Sequence, residues 1–203
     1  LVPYNVEDVK IRYFGENIAT GYATGVDFRL NGEFVEDAES WFTLSILQTR
    51  ENILNDFYID TAGNTVEIGA LPRPTDQRVN FGILFQDYLP ANENFKMHLN
   101  LLFGTGLPFG PPDSERFRNA LRIPPYRRVD IGFSALLYEK GGERNVFNLR
   151  GFESVWTSLE VFNLLQIKNT VSHIWVKDNT DVLYAFENHL TGRRINFRLI
   201  LKL

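Results

Sequence analysis

Apolar and polar side chains alternate along much of the chain, and the clearest case is its last segment. Between Arg194 and Leu203, one parity is apolar and the other is polar or charged, except for Ile200. The apolar set is Ile195, Phe197, Leu199, Leu201 and Leu203, and the polar set is Arg194, Asn196, Arg198 and Lys202. Successive side chains of a β-strand point to opposite faces of its sheet. The segment is therefore predicted to be a strand with one apolar and one charged face.

The same alternation recurs along the chain and predicts an all-β protein of about seven antiparallel strands. The predicted strands cover residues 22–34, 41–48, 78–88, 95–103, 126–138, 155–165 and 193–203. Val9, Ile11 and Tyr13 also alternate with Lys10 and Arg12, which leaves open an eighth strand near the start. The parity predicts that Phe81, Leu99, Ile131, Phe133, Phe197 and Leu199 share one face, and that Asn80, His98, Asp130 and Arg198 share the other.

Strand length and connection length both favour a membrane β-barrel. Several predicted strands reach about ten residues, whereas strands of globular proteins average about five or six and a bilayer-spanning strand needs about ten. Short connections at 36–39 and 90–94 alternate with long ones at 51–76, 104–125 and 168–192, and the connection at 139–152 is intermediate. Short turns at one rim and long loops at the other are typical of outer-membrane barrels.

Composition and charge exclude several other classes. The chain has 203 residues and a net charge of −4, without a basic stripe, which argues against a nucleic-acid-binding protein. It has no cysteine, so disulfides, thiolate metal sites and a cysteine nucleophile are excluded. No apolar run approaches the ~20 residues of a transmembrane helix. We expect one domain over 1–203, and the start at Leu1, without a signal peptide, suggests a piece of a longer chain.

Motifs of enzymes, metal sites and cofactor sites are not found in the sequence. His98, His173 and His189 are far apart and lack metal-ligand spacing. The glycine-rich segment 104–110 is followed by two prolines and not by a helix, so it is predicted to be a surface loop. Charged residues on the predicted polar face could form a binding surface for an anionic solute or a docked plug, but cross-strand ion pairing is the favoured interpretation. We expect a protein that is not an enzyme and has no catalytic residue, cofactor or metal.

Five segments, in their order and spacing, resemble the last third of TonB-dependent outer-membrane receptors. They are ATGVDFRL at 23–30, RPTDQRVN at 73–80, the loop 104–125 followed by YRRVDIG at 126–132, LEVFNLL at 159–165 and LTGRRIN at 190–196. The resemblance covers the chain from about residue 20 to its end. It implies an antiparallel transmembrane wall, about the last seven strands of a 22-stranded barrel, with long external loops and short periplasmic turns.

The resemblance also implies function, partners and location. Such receptors bind a scarce nutrient outside the cell and import it through the outer membrane of Gram-negative bacteria with energy from TonB. The expected partners of this chain are outer-membrane lipid, the rest of its barrel with the plug domain, and the TonB complex through an N-terminal part that this sequence lacks. No nucleic acid is expected as a partner.

Five residues of the predicted long loops are candidates for contact with the substrate, because amphipathic aromatic side chains and arginine suit recognition. They are Tyr58, Phe109, Arg116, Trp175 and Tyr184. Two alternatives to the receptor remain at this point. One is a small, self-contained outer-membrane barrel that acts as an anchor, adhesin or porin, with 9–13 as its first strand, and the other is a soluble β-sandwich binding module.

Overall fold

The computed structural model describes residues 3–5, 11–13, 15–35, 38–89, 92–112, 114, 116–142 and 151–203. These residues form only strands, turns and loops. None of their segments is a helix that is long and apolar enough to cross a membrane. The described strands are, in chain order, β1 (Pro3–Asn5), β2 (Ile11–Tyr13), β3 (Ala19–Val35), β4 (Ala38–Ile53), β5 (Phe57–Ile59), β6 (Thr65–Glu67), β7 (Leu71–Pro72), β8 (Val79–Leu89), β9 (Asn92–Gly104), β10 (Pro108–Phe109), β11 (Leu121–Arg122), β12 (Tyr126–Glu139), β13 (Ser154–Phe162), β14 (Thr170–Lys177), β15 (Leu183–His189) and β16 (Arg194–Lys202).

Seven of these strands form one large antiparallel sheet in the order β16-β13-β12-β9-β8-β4-β3, and β7 pairs with the end of β4. They correspond one to one to the seven strands that the alternation predicts. The all-β antiparallel architecture is thereby confirmed. Each of the five inner strands pairs with the long strand before it and the one after it in the chain, so the sheet is a meander with β3 and β16 at its edges.

The register confirms the predicted assignment of residues to two faces. Phe197 pairs with Leu159, which in turn pairs with Phe133, and Phe133 pairs with Met97. One position along the strand, Arg198 pairs with Ser158. Because directly opposed residues point to the same side of a sheet, the first row belongs to the apolar face and the second pair to the polar face.

Exposure is distributed between the two faces in an unusual way. On the apolar face, Val26 is 71% exposed, Phe197 69% and Phe133 47%. On the polar face, Asp130 and Glu160 are only 4% and 5% exposed. A sheet that folds in water around a core buries its apolar face. On β12 and β13 the apolar face is instead the more exposed one, and on the edge strands β3 and β16 both faces are exposed.

Buried hydrophobic side chains are few in the described part of the chain. They are Leu136, Tyr138 and Val155, which lie together near the end of the sheet that carries the short connections. Next to them, the Lys96 ammonium lies 4.5 Å from the Tyr88 ring centroid and 5.3 Å from that of Trp156. The described part of the large sheet therefore has only a small local core, at the end that carries the short connections.

The long connections contain more structure than the sequence predicts. The connection 51–76, which we expected to be irregular, contains the β5–β6 hairpin, and 168–192 contains the β14–β15 hairpin. Strands β10 and β11 pair within 104–125. The strand left open near the start exists at Ile11–Tyr13, but it pairs with Pro3–Asn5 and not with the large sheet. Part of the connection 139–152, namely 143–150, lies outside the described residues, as do 36–37 and 90–91 of the short turns.

Candidate functional site

The three long connections leave the sheet at the same end. This follows from the meander, because each long strand is antiparallel to the next, so alternate connections lie at opposite ends. We call residues 54–78, 105–125 and 163–193 the first, second and third rim loops, and together the loop rim. The grouping of the long loops at one end, which the sequence predicts, is confirmed.

The first and second rim loops are joined through a fully buried carboxylate, Asp76. Its Oδ1 accepts hydrogen bonds from the Thr49 backbone N at 2.6 Å and from Thr49 Oγ1 at 3.3 Å. Its Oδ2 accepts from Arg78 Nε at 2.8 Å and from Arg122 Nη2. Arg122 Nη1 also donates to the Asp76 and Gly106 carbonyl oxygens, at 2.7 and 2.9 Å. One carboxylate thus connects a long strand to two loops.

The ionisation of Asp76 follows from these contacts. Burial by itself raises the pKa of this carboxyl, but the hydrogen bonds from the Thr49 N–H and from the Arg122 and Arg78 guanidinium groups act in the opposite direction. The bonds prevail, so the pKa of Asp76 lies below its ordinary value of 3.8. The carboxylate is charged at neutral pH and is satisfied on both oxygens.

A second set of contacts joins the same two loops farther from the sheet. Asp56 forms an ion pair with Arg118. Asn119 Nδ2 donates to the Pro72 carbonyl oxygen at 3.1 Å. The Arg116 guanidinium carbon lies 5.0 Å from the Tyr58 ring centroid. The first and second rim loops therefore form one connected unit, which we call the loop clasp.

The third rim loop meets the second through aromatic rings. The His173 ring stacks on Phe109 with centroids 4.1 Å apart and planes 2° apart, and the Trp175 ring lies 6.2 Å from Phe109 at 39°. At the base of the hairpin, Asn169 Oδ1 accepts from the Arg127 backbone N at 2.8 Å, and Asn169 Nδ2 donates to the Arg127 carbonyl oxygen at 2.9 Å. The β14–β15 hairpin is thus fixed at its base by hydrogen bonds, and its His173 and Trp175 rings pack against the single ring of Phe109.

His173 stands out electrostatically at this contact. Burial lowers the pKa of its imidazole below the ordinary 6.5, the Glu187 carboxylate opposes this effect, and His189 adds to it. Its buried Nδ1 has no hydrogen-bond partner among the described residues. The neutral ring is therefore favoured in the stack on Phe109.

The polar face below the rim carries a charge network. Glu160 accepts from Arg198 Nη2 at 3.0 Å and from Asn196 Nδ2 at 2.8 Å, and His98 Nε2 lies 3.9 Å from its Oε1. His98 lies directly over Gly132, where the Cβ of any other residue would collide with the imidazole ring. These contacts support cross-strand pairing, the interpretation that the sequence favours for this face.

An open cavity of about 450 Å³ lies between this network and the third rim loop. Its lining includes Tyr126, Arg128, Phe162, Asn163, Arg194 and Asn196. The Arg128 guanidinium carbon lies 5.4 Å from the Phe162 ring centroid, and its Nε donates to Asp130 at 2.7 Å. The cavity is open to solvent and is lined mostly by polar and charged side chains.

Four of the five predicted site residues come together in pairs at the loop rim. Tyr58 contacts Arg116, and Phe109 contacts Trp175. Tyr184 lies apart from both pairs, on β15 opposite Val176, and is half exposed.

Sequence reasoning missed three residues that organise the rim. Asp76 is the aspartate of the RPTDQR segment, so the resemblance includes this residue, but nothing in the sequence indicates that its carboxylate is buried. Arg122 is its partner 46 residues away. His173 precedes Trp175 by two positions, so the period of two places both rings on one side of β14.

Comparisons of the chain with models of protein families, with curated proteins and with solved structures find no match.

Proposed function

We propose that this chain is a wall segment of an outer-membrane β-barrel that belongs to a TonB-dependent transporter. The observation that carries the proposal is the exposed apolar face of the large sheet. An extended apolar surface with Val26, Phe133 and Phe197 about half or more exposed requires a cover, and lipid is a cover of matching chemistry. The polar face, with Asp130 and Glu160 in hydrogen-bonded networks, suits a wet interior.

The dimensions of the strands support a membrane as the cover. On β9, the apolar face extends from Phe95 to Phe103, which is roughly 30 Å of extended chain. Tilted by the 35–45° usual in barrels, this length approaches the apolar band of about 25 Å that outer-membrane barrels present to lipid. Strands β3 and β4, with 17 and 16 residues, are long enough to continue beyond such a band.

The edges of the sheet support further strands beyond this chain. Strands β3 and β16 each pair on one side only within the described residues. Lipid cannot satisfy unpaired N–H and C=O groups, so a membrane sheet must close on itself. The rest of a larger barrel would supply the missing neighbours. The size of that barrel, the plug domain, the TonB complex and nutrient import come from the resemblance of the sequence alone.

In this proposal the loop rim is the extracellular vestibule. The test is surface labelling of intact cells that express the full polypeptide with an epitope tag at one of two positions. A tag after Asn64, at the tip of the β5–β6 hairpin, should be labelled from outside. A tag next to Asn92, at the opposite end of the sheet, should be labelled only after the outer membrane is opened.

Three results would contradict this assignment. Labelling at Asn92 but not at Asn64 would invert the topology. A protein found in the soluble fraction, labelled at neither site in intact cells, would favour the β-sandwich module. A chain ending at Leu203 and starting at Leu1 that inserts as a closed, heat-modifiable monomer would favour the small self-contained barrel.

A further inference from the structure

Arg116 of the second rim loop lies against two aromatic rings. Its guanidinium carbon is 5.0 Å from the Tyr58 ring centroid and 5.0 Å from that of Phe117. Phe117 is 48% exposed, and Arg116 is exposed as well. A planar cation thus lies at the surface of the rim between a ring of the first loop and a ring of its own loop.

The other two arginines of the same loop are engaged differently. Arg118 is paired with Asp56, and Arg122 with the buried Asp76. For Arg116, the contacts within the described part of the chain are aromatic, and none is with a carboxylate. Stacking occupies the faces of a guanidinium and leaves N–H groups at its edge available as donors.

The geometry points to a binding site for a carboxylate carried on a ring, with Arg116 as the anion-binding residue and Tyr58 and Phe117 as ring contacts. A guanidinium edge matches the two oxygens of a carboxylate and can donate two parallel hydrogen bonds. The exposed Phe117 ring and the half-buried Tyr58 ring beside it can contact the apolar face of the same ligand. An acidic sugar and an aromatic acid both have this chemistry.

The loop clasp holds this site in place. Asp56 and Tyr58 are two residues apart in the first loop, and Arg118 and Arg116 are two residues apart in the second. The ion pair between Asp56 and Arg118 therefore fixes the distance at which Tyr58 meets Arg116. A cation that is held before the ligand arrives loses less side-chain entropy on binding.

The inference rests on the proposed function in one respect, the location of the site outside the cell. Its test measures binding and does not need transport. The probes are methyl glucuronide and its neutral partner methyl glucoside, benzoate and its neutral partner benzyl alcohol, and inorganic phosphate. Binding of each is followed by NMR titration against the full polypeptide in detergent. At least one acid should bind roughly tenfold or more tightly than its neutral partner, and this acid identifies the ligand source.

The variants separate the site from the general charge of the protein. Arg116→Gln should abolish the preference for the acid, whereas Arg193→Gln, which removes an exposed charge of the third loop, should retain it. Tyr58→Leu should weaken binding of the acid, and Tyr58→Phe, which keeps the ring, should restore it. Surface labelling at Asn64 shows independently that each variant is folded and correctly inserted.

Three outcomes would overturn the inference. They are equal binding of each acid and its neutral partner, equal loss in the Arg116→Gln and Arg193→Gln proteins, and phosphate binding as tight as that of the ring acids. In each case an unchanged labelling pattern would leave the proposed transporter topology intact, so the two proposals fail separately.

Discussion

The loop clasp and the third rim loop are attached to the molecule by opposite kinds of contact. The clasp depends on charged and hydrogen-bonded groups of fixed geometry, centred on the buried Asp76 carboxylate. Beyond its base, where Asn169 is hydrogen-bonded to Arg127, the third loop depends on the faces of Phe109, His173 and Trp175. Directional bonds fix one arrangement, whereas stacked rings tolerate sliding. We therefore expect the clasp to be a rigid platform and the β14–β15 hairpin to be the part of the rim that moves most easily.

Removal of the central carboxylate should have the largest effect. Asp76→Asn withdraws the charge that Arg78 and Arg122 share, and we expect a loss of about 3 kcal/mol in the free energy of local unfolding. This is the low end for a buried ion pair, because the two arginine side chains are 37% and 33% exposed. Hydrogen exchange should increase in 105–125 and stay unchanged in 170–189. The control is Asp60→Asn, since Asp60 is an exposed carboxylate whose bonds stay within its own turn. Equal exchange in both variants would refute the central role of Asp76.

Removal of the aromatic contact should have the second largest effect, and this effect should be confined to the third rim loop. Phe109→Ala removes the ring that His173 and Trp175 share, at roughly 0.5–1.5 kcal/mol for each aromatic pair. Trp175 fluorescence should shift to the red, and protease cleavage in 178–182 should accelerate. The loop clasp should keep its exchange rates. Faster exchange in both regions would mean that the rim is one cooperative unit.

A change of pH should have the smallest effect of the three, and it should destabilise the two regions in different pH ranges. The pKa of His173 lies below 6.5, so its contribution to stability is complete above pH 6.5 and declines as the pH falls through the lowered pKa. The pKa of Asp76 lies below 3.8, so the clasp loses stability only at pH values under about 4. At pH 5 the hairpin should loosen while the clasp persists.

The pH effect can be assigned to one residue by substitution. Protease cleavage of the hairpin between pH 7.5 and 5 should become independent of pH in His173→Gln. The His189→Gln variant, which removes the neighbouring imidazole beside Glu187, should retain most of the dependence. The opposite pattern would assign the switch to the His189–Glu187 pair.

The sequence predicts the sheet well because the alternation of apolar and polar side chains in a strand can be recognised within a short segment. Parity alone places Phe133, Phe197 and Arg198 on the correct faces, since a period of two admits only two assignments. The two hairpin tips, which the sequence predicts only as parts of long connections, also have a local basis. In each, an aspartate accepts the N–H groups two and four residues later, as Asp60 does from Ala62 and Asn64 at 2.8 Å, and Gly63 supplies the positive φ of the turn.

The candidate site was predictable only as a set of residue types. The sequence indicates Tyr58 and Arg116 individually, because aromatic side chains and arginine in loops suit recognition, but nothing local to either residue indicates their contact. The burial of Asp76 also depends on a contact between loops, because its partner Arg122 belongs to the next long loop. Contacts between loops depend on where the sheet places their ends, and a single sequence carries no signal for that placement.

The β14–β15 hairpin has a consequence for the order of folding. The third rim loop has to bring β16 back to β13, and the entropy cost of closing a loop grows with its length, by about 0.6 kcal/mol for each doubling. When the hairpin forms first, the Leu190 backbone N donates to the Asn169 carbonyl oxygen at 2.8 Å. The twenty residues between them then no longer count as flexible chain. The preformed hairpin thus reduces the number of flexible residues between β13 and β16. The entropy cost of pairing these two strands falls accordingly.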